Sequence, residues 1–399
     1  MKQRFFRKIL KNGMTVILEK RDLPMVSVGF AVRQGGVNES SDEKGISHFI
    51  EHMLYKGTTN RNREQIAAEI ERNGGVLNGL TDETLTMYYC KMPSERLKIA
   101  LDVLSDLVKN PKFDSKEIEK ERQVIFEEMK MYKDSPIRYV HDKIQSFLYE
   151  EPFGLDLIGT EETMNSIDRE KMVETFKRIY TPKNMILCVV GDADFEGLIK
   201  FAEENFEDSF GEIKKQEIKK KNNSKIETRE GIDQANLVFA FHTPLVEDKT
   251  HYASQVLATV LGGGMSSRLW IEIREKRNLA YGVRAGMTSH KDFSYLYIYV
   301  GTKKENVEDV KNLILQELKK ISEELGEKEF NEVKEQMIGQ FKISMEDSAE
   351  QLLKLITCEV DGDVEKFYEF EKSVRDVKLE DVKNLAKIKD YSFFALIPE

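Results

Sequence analysis

Several familiar catalytic signatures are missing from this 399-residue sequence. There is no GxSxG, so the strained nucleophile turn of a serine hydrolase is absent. The glycine-rich stretch Gly262 to Ser267 lacks the lysine of a phosphate loop and the spacing of GxGxxG. Only three cysteines occur, Cys90, Cys188 and Cys358, far apart and never as CxxC. That excludes a disulfide framework and a dithiol redox motif, and it suits buried thiols in a reducing compartment. Basic charge is outweighed: the net charge is −10, which argues against a phosphate-neutralising nucleic-acid surface. No apolar run approaches the ~20 residues of a membrane span. The start, MKQRFFRKILKNGM, is basic but carries neither a long apolar core nor a small-residue cleavage site. The expectation is a cytoplasmic protein with no membrane and no nucleic-acid partner.

Hydrophobic residues make up 40% of the chain, enough for two domains of ordinary size. Met14 to Glu19 and Met25 to Val32 read as strands, the second with clear alternation. Helical patterns occupy 94–110, 115–133, 136–150, 167–180 and 195–206, and the apolar run Asn184 to Gly191 suits a buried strand. Glu212 to Arg229 is polar and Lys-rich without apolar periodicity, and reads as a linker. After it the plan repeats: a strand over Gln234 to Thr243, a helix over Tyr252 to Leu261, the alternating SYLYIYVGT strand, long helices, and a last strand over Ser392 to Ile397. The expected fold is therefore α+β, a tandem duplication of a mostly antiparallel sheet covered by helices. Its domains are expected at 1–210 and 230–399, joined by a linker at 211–229.

One stretch carries chemistry. In GISHFIEHMLYKGT, His48 and His52 are four residues apart, so a helix stacks them on one face. With His48 at zero, His52 falls at about +40°, Tyr55 at about −20° and Glu51 at about −60°. Ile46, Phe49, Ile50, Met53 and Leu54 fall on the far side. Such a helix has an apolar back and a front with two imidazoles and a carboxylate, the kit of a zinc hydrolase. Ser40 and Glu43 could cap it as a capping box, although Gly45 weakens the first turn. In the repeat, Tyr252-Ala253-Ser254-Gln255 stands where ligands would be, so only the first half could hold zinc in this way.

A catalytic zinc usually has three protein ligands. On the helix after Asn110, Ile118, Ile125, Met129 and Tyr132 define the buried face. Relative to Ile125, Glu121 falls at about −40° and Glu128 at about −60°, on the edge of that face, whereas Glu127 at about 200° points to solvent. Burying an unpaired carboxylate is costly, so Glu121 and Glu128 call for a cation or strong donors. Periodicity does not rank the two, and an ordinary charged helix whose Glu stems reach water is the plain alternative. Val76 to Thr81, with Asn78-Gly79, reads either as an irregular edge strand or as a tight hairpin turn.

HFIEH, the downstream ERQVIFEE of 121–128, and SSRLWIEIREKRNLAYGV together resemble the pitrilysin (M16) family of inverted-motif zinc peptidases. The similarity is to its half-sized bacterial members, which are like the catalytic subunit of mitochondrial processing peptidase, and covers nearly the whole chain. The resemblance implies one Zn2+ per chain on His48, His52 and Glu128, with Glu51 as general base and Glu121 supporting the site from behind. It gives Arg274 and Tyr281 the role of holding the substrate backbone and stabilising the tetrahedral intermediate. Asn78 and Gly79 would lie on the substrate-binding edge strand. The next residue after the Asn is often Ala in the family, and Gly79 would loosen that edge. The implied activity is a zinc metalloendopeptidase acting on short or unfolded peptides. A half-length chain further implies a homodimer closing like a clam shell, possibly with a related chain as partner, and Arg274 and Tyr281 serving the opposite subunit. The alternative is a non-catalytic scaffold subunit of a larger complex.

Overall fold

The run Met185–Gly191, buried at every residue, forms the middle of the first sheet (β6). Its flanking strands explain that burial. In the computed structural model, which describes residues 4–399, β1 (Phe5–Ile9), β2 (Thr15–Lys20), β3 (Met25–Val32), β4 (Val76–Thr81) and β5 (Thr86–Pro93) join it in the order β1-β2-β6-β3-β5-β4. The β2–β6 pairing is parallel and the others are antiparallel. The helices of this half are α1 (Ile46–Leu54), α2 (Arg63–Glu71), α3 (Leu97–Lys109), α4 (Ser115–Asp134), α5 (Pro136–Leu148), α6 (Glu161–Ser166), α7 (Arg169–Ile179) and α8 (Phe195–Asn205). α3 packs on β3 and β5, while α1 lies against β4 and β5. Strand β4 is thus an edge strand beside α1, not a hairpin turn.

The second half contains β7 (Ser224–Arg229), β8 (Ala235–His242), α9 (His251–Gly262), a π-helical turn at Trp270–Glu275, β9 (Ala280–Ser289) and β10 (Ser294–Thr302). It ends with α10 (Val307–Glu324), α11 (Glu327–Ser344), α12 (Ser348–Val360), α13 (Lys366–Asp376), α14 (Leu379–Leu385) and β11 (Ser392–Pro398). Its sheet runs β7-β11-β8-β10-β9, and β7–β11 is its parallel pair. Strand for strand, this repeats β2-β6-β3-β5-β4. The duplication read from the sequence is therefore a repeat of topology, with β9 in the place of β4 and α9 in the place of α1.

Two details differ from the sequence expectation. Residues 224–229, assigned to the 211–229 linker, form β7, the counterpart of β2. SKIETR is a mostly exposed edge strand, so it has no apolar alternation to reveal it. The chain also does not divide at one point. One compact unit is Met1–Glu128, Leu157–Glu217 and Ser344–Phe367; the other is Met129–Asp156, Ile218–Ile343 and Tyr368–Glu399. Helix α12 belongs with the first sheet, packing on β6 and β3.

An ion pair fixes α12 there. Glu359, 3% exposed, accepts 2.8 Å hydrogen bonds from Arg7 of β1 and from Arg33 just after β3. Removing one partner of a buried pair leaves the other charges uncompensated. Glu359→Ala is expected to cost about 3 kcal/mol, the low end for such sites because Arg7 is partly solvated. A urea unfolding series checks this; a loss below about 0.5 kcal/mol, the range of a neutral surface change, would contradict it.

All three cysteines are free, and Cys90 and Cys188 are buried. Burial pushes the Cys90 thiol up to about 12, which makes it an inert core group. Among the described residues no helix is long and apolar enough to cross a membrane.

Candidate metal centre

Gly45 begins the functional helix. Its φ of 89° is left-handed, and a β-carbon there would meet the Ile158 carbonyl at 2.6 Å, so glycine is required. The proposed Ser40–Glu43 capping box is not what caps α1. Instead the buried Glu39 carboxylate accepts from the backbone N–H groups of Gly45 (2.9 Å) and Ser47 (2.8 Å), where the helix leaves donors unpaired. Ile46, Phe49, Ile50, Met53 and Leu54 are all buried, which turns the opposite face toward the site.

That face carries His48 and His52, their rings 4.5 Å apart. α4 brings up the third group. Glu128 Oε2 lies 3.7 Å from His48 Nε2 and 3.6 Å from His52 Nε2. Ligand atoms around a tetrahedral zinc with bonds of ~2.1 Å are separated by about 3.4 Å, so the spacing suits one shared ion. The donor set fits as well: two imidazole nitrogens and one carboxylate oxygen are ligands that zinc takes in hydrolases. Among the described residues, His48, His52 and Glu128 form the one such cluster. Glu127, one residue earlier, is exposed, as its helical angle requires.

Glu121 is 7% exposed and sits one layer behind. Its Oε2 is 3.2 Å from His52 Nδ1, which holds the ring and leaves Nε2 facing Glu128. Its Oε1 pairs with Lys56 Nζ at 2.5 Å. Burial works against the charged form, but the His52 and Lys56 hydrogen bonds outweigh it and lower the Glu121 pKa. Lys56 is the cation that the sequence required without naming; four positions after His52, it projects toward the same helix. For His52, burial favours the neutral ring, yet the hydrogen bond to Glu121 and the charges of Glu51 and Glu128 prevail and raise its pKa.

These shifts yield a prediction. A protonated imidazole cannot bind a cation, so zinc affinity should fall as pH drops through the raised His52 pKa. Glu121→Ala should weaken zinc binding by about 10- to 100-fold, as loss of a ligand's supporting partner does. Competition with a chromophoric chelator at about pH 6 and about pH 8 measures both. Equal affinity at the two pH values, or an unaffected variant, would contradict this arrangement.

Glu51 stands apart from the cluster. Its Oε2 is 3.5 Å from the Thr81 hydroxyl of β4. Burial pushes its carboxyl up to about 7, with the Glu128 charge adding to the rise and His52 opposing it. A carboxyl near neutrality is suited to exchange protons. Asn78 is exposed on the outward face of β4, with Val76 and Leu80, while Gly79 faces α1. A β-carbon on Gly79 would lie 2.3 Å from Glu51 Oε1, so this glycine answers to close packing rather than to a loose edge.

Arg274 and Tyr281 belong to the second unit. Arg274 is in the π-helical turn, its guanidinium 4.2 Å from the Trp270 ring centroid. Tyr281 is 77% exposed near the start of edge strand β9, the counterpart of β4. The remaining histidines have structural surroundings in that unit. His141 contacts the Tyr297 and Tyr299 rings, His242 is hydrogen-bonded to the Lys221 carbonyl, His251 pairs with Gln255, and His290 lies against Phe293.

Two family models match the chain: insulinase (peptidase family M16) over residues 15–161, and the peptidase M16 inactive domain over residues 166–337. An uncharacterized zinc protease of Rickettsia felis is 33% identical over 352 residues, 87% of this chain and 85% of that one. The zinc protease YmxG of Bacillus subtilis is 33% identical over 345 residues, 85% and 84% of the two chains. Among solved structures, a protease from Helicobacter pylori superimposes with a TM-score of 0.91 at 23% identity, covering 99% of both chains. A peptidase M16 inactive domain from Pseudomonas fluorescens gives 0.90 at 19% identity, covering 100% of this chain and 98% of that one.

Proposed function

This chain belongs to the M16 peptidase family, and from that membership we propose that it is a zinc metalloendopeptidase acting on short or unfolded peptides. The observation that carries the reading is the separation of roles on α1. His48 and His52 converge with Glu128, while Glu51, one residue from a ligand, stays outside the cluster and keeps a proton-exchanging carboxyl.

His48, His52 and Glu128 would hold one zinc. Bound there, it supplies Lewis acidity and makes water acidic enough to attack near neutral pH. Glu51 takes a proton from the attacking water and delivers it to the leaving amine. Glu121 and Lys56 keep His52 oriented through the cycle. The free edge of β4, which among the described residues pairs only with β5, can accept an extended peptide as an added strand, with Asn78 and Gly79 along it. Arg274 and Tyr281 hold the substrate backbone and the developing oxyanion, a type of donor worth about 3 kcal/mol when lost. We place them in trans: the chain acts as a homodimer, and each subunit's Arg274 and Tyr281 serve the other's zinc site. The exposure of Tyr281 supports this, since an aromatic left in water has surface to bury against a substrate or a partner.

A quenched-peptide library tests the activity. Zinc-loaded protein is expected to cleave it, stop on chelation and recover when zinc returns. Zinc retained without any cleavage would favour a scaffold subunit instead. Mixing Arg274→Ala chains with Glu51→Gln chains tests the shared site. Mixed dimers should recover part of the activity that both parents lack, and no recovery after subunit exchange would contradict the trans arrangement.

A further inference from the structure

Beside Glu51, the phenol hydroxyl of Tyr55 is fully buried and has no hydrogen-bond partner among the described residues. Buried polar groups are nearly always satisfied, and one left over calls for a partner. Its surroundings say which. A β-carbon on Gly79 would lie 2.5 Å from Tyr55 Oη as well as 2.3 Å from Glu51 Oε1. The two oxygens therefore face the same small space, within roughly 5 Å of each other. The floor of that space is closely packed. Gly79 pairs in register with Tyr88 of β5; Tyr88 is fully buried, its ring 5.8 Å from that of Tyr55 and its hydroxyl 2.7 Å from that of Tyr180. Strand β4 therefore has little freedom to move away.

We propose that Tyr55 is a positioning residue for Glu51, donating a hydrogen bond to its carboxylate as the charge moves during the reaction, and that Gly79 is the clearance the pair requires. Tyr55 keeps its own proton throughout. Burial and the Glu51 charge hold its phenol well above the ordinary value, so it acts as a donor only. Thr81 reaches the other carboxylate oxygen, at 3.5 Å. Between them the two hydroxyls bracket Glu51 and keep it off the metal cluster and aimed at the strand edge where the peptide would lie.

The inference rests on the peptidase reading, and a double-mutant cycle separates the two. Tyr55→Phe should lower kcat about 10-fold with KM and zinc content nearly unchanged, because binding does not use the hydroxyl. Gly79→Ala should also lower kcat, since the new methyl displaces Glu51. Adding Tyr55→Phe removes the oxygen 2.5 Å from that methyl, so the double variant should be no worse than Gly79→Ala alone. Multiplying effects, or a Tyr55→Phe enzyme with unchanged kcat, would overturn the proposal. Melting temperatures of the same four zinc-loaded proteins give a readout independent of catalysis. Gly79→Ala should melt lower, and Tyr55→Phe should restore part of the loss. Additive melting shifts would overturn the pair even if the wild-type protein cleaves nothing, an outcome that by itself would count only against the peptidase reading.

Discussion

Glu51→Gln is expected to bind zinc as the wild type does and to lose activity by between about a hundredfold and ten-thousandfold, the range for removing a general base. The amide is close in size to the carboxyl and can still accept from Thr81, so the local packing stays. What it loses is the ability to accept a proton. Because Glu51 lies outside the cluster of His48, His52 and Glu128, metal binding and catalysis separate at this residue. Zinc content by metal analysis, together with kcat on a peptide substrate, reads both quantities. Unchanged activity would remove Glu51 from the mechanism, and loss of zinc along with activity would make it a ligand.

Glu128→Ala is expected to have the larger effect on the metal. It removes one of three protein donors, so zinc affinity should fall by more than the roughly 10- to 100-fold assigned to Glu121, and cleavage should fall with it. The neighbouring Glu127 is the control. It points to solvent on the same turn of α4, and Glu127→Ala should leave zinc affinity and kcat as they were. Equal losses in the two variants would mean that α4 is not seated as described. The contrast is informative because the residues are chemically identical and adjacent, and differ only in the helical face they occupy.

That same face argument explains how much was legible in the sequence. Period 3.6 separated Glu127 from Glu128 and put His48, Glu51 and His52 on one side of α1, because both helices have an apolar stripe to fix their rotation. Period 2 also located β3 and β10 as strands, although both turn out to be buried at nearly every residue on both faces. It failed for β1 and β7, edge strands whose exposed residues, FFRKI and SKIETR, follow no inward alternation. It also left Asn78-Gly79 open between turn and strand. Local propensity favours a turn there, and the structure decides for a strand by pairing the whole segment with β5, Gly79 opposite Tyr88. The placement of α12 on the first sheet was invisible for a similar reason. It depends on Glu359 meeting Arg7 and Arg33, more than 300 positions away. Glu39 as the cap of α1, in place of Ser40 and Glu43, is a local contact six and eight positions along the chain that no capping-box spacing marks.

The most direct test is anomalous diffraction at the zinc edge from crystals of the zinc-loaded protein. One peak per chain is predicted, within bonding distance of His48 Nε2, His52 Nε2 and a Glu128 oxygen, with Glu51 unbonded beside it. A peak ligated by Glu51, or one at any other place in the chain, would contradict the account.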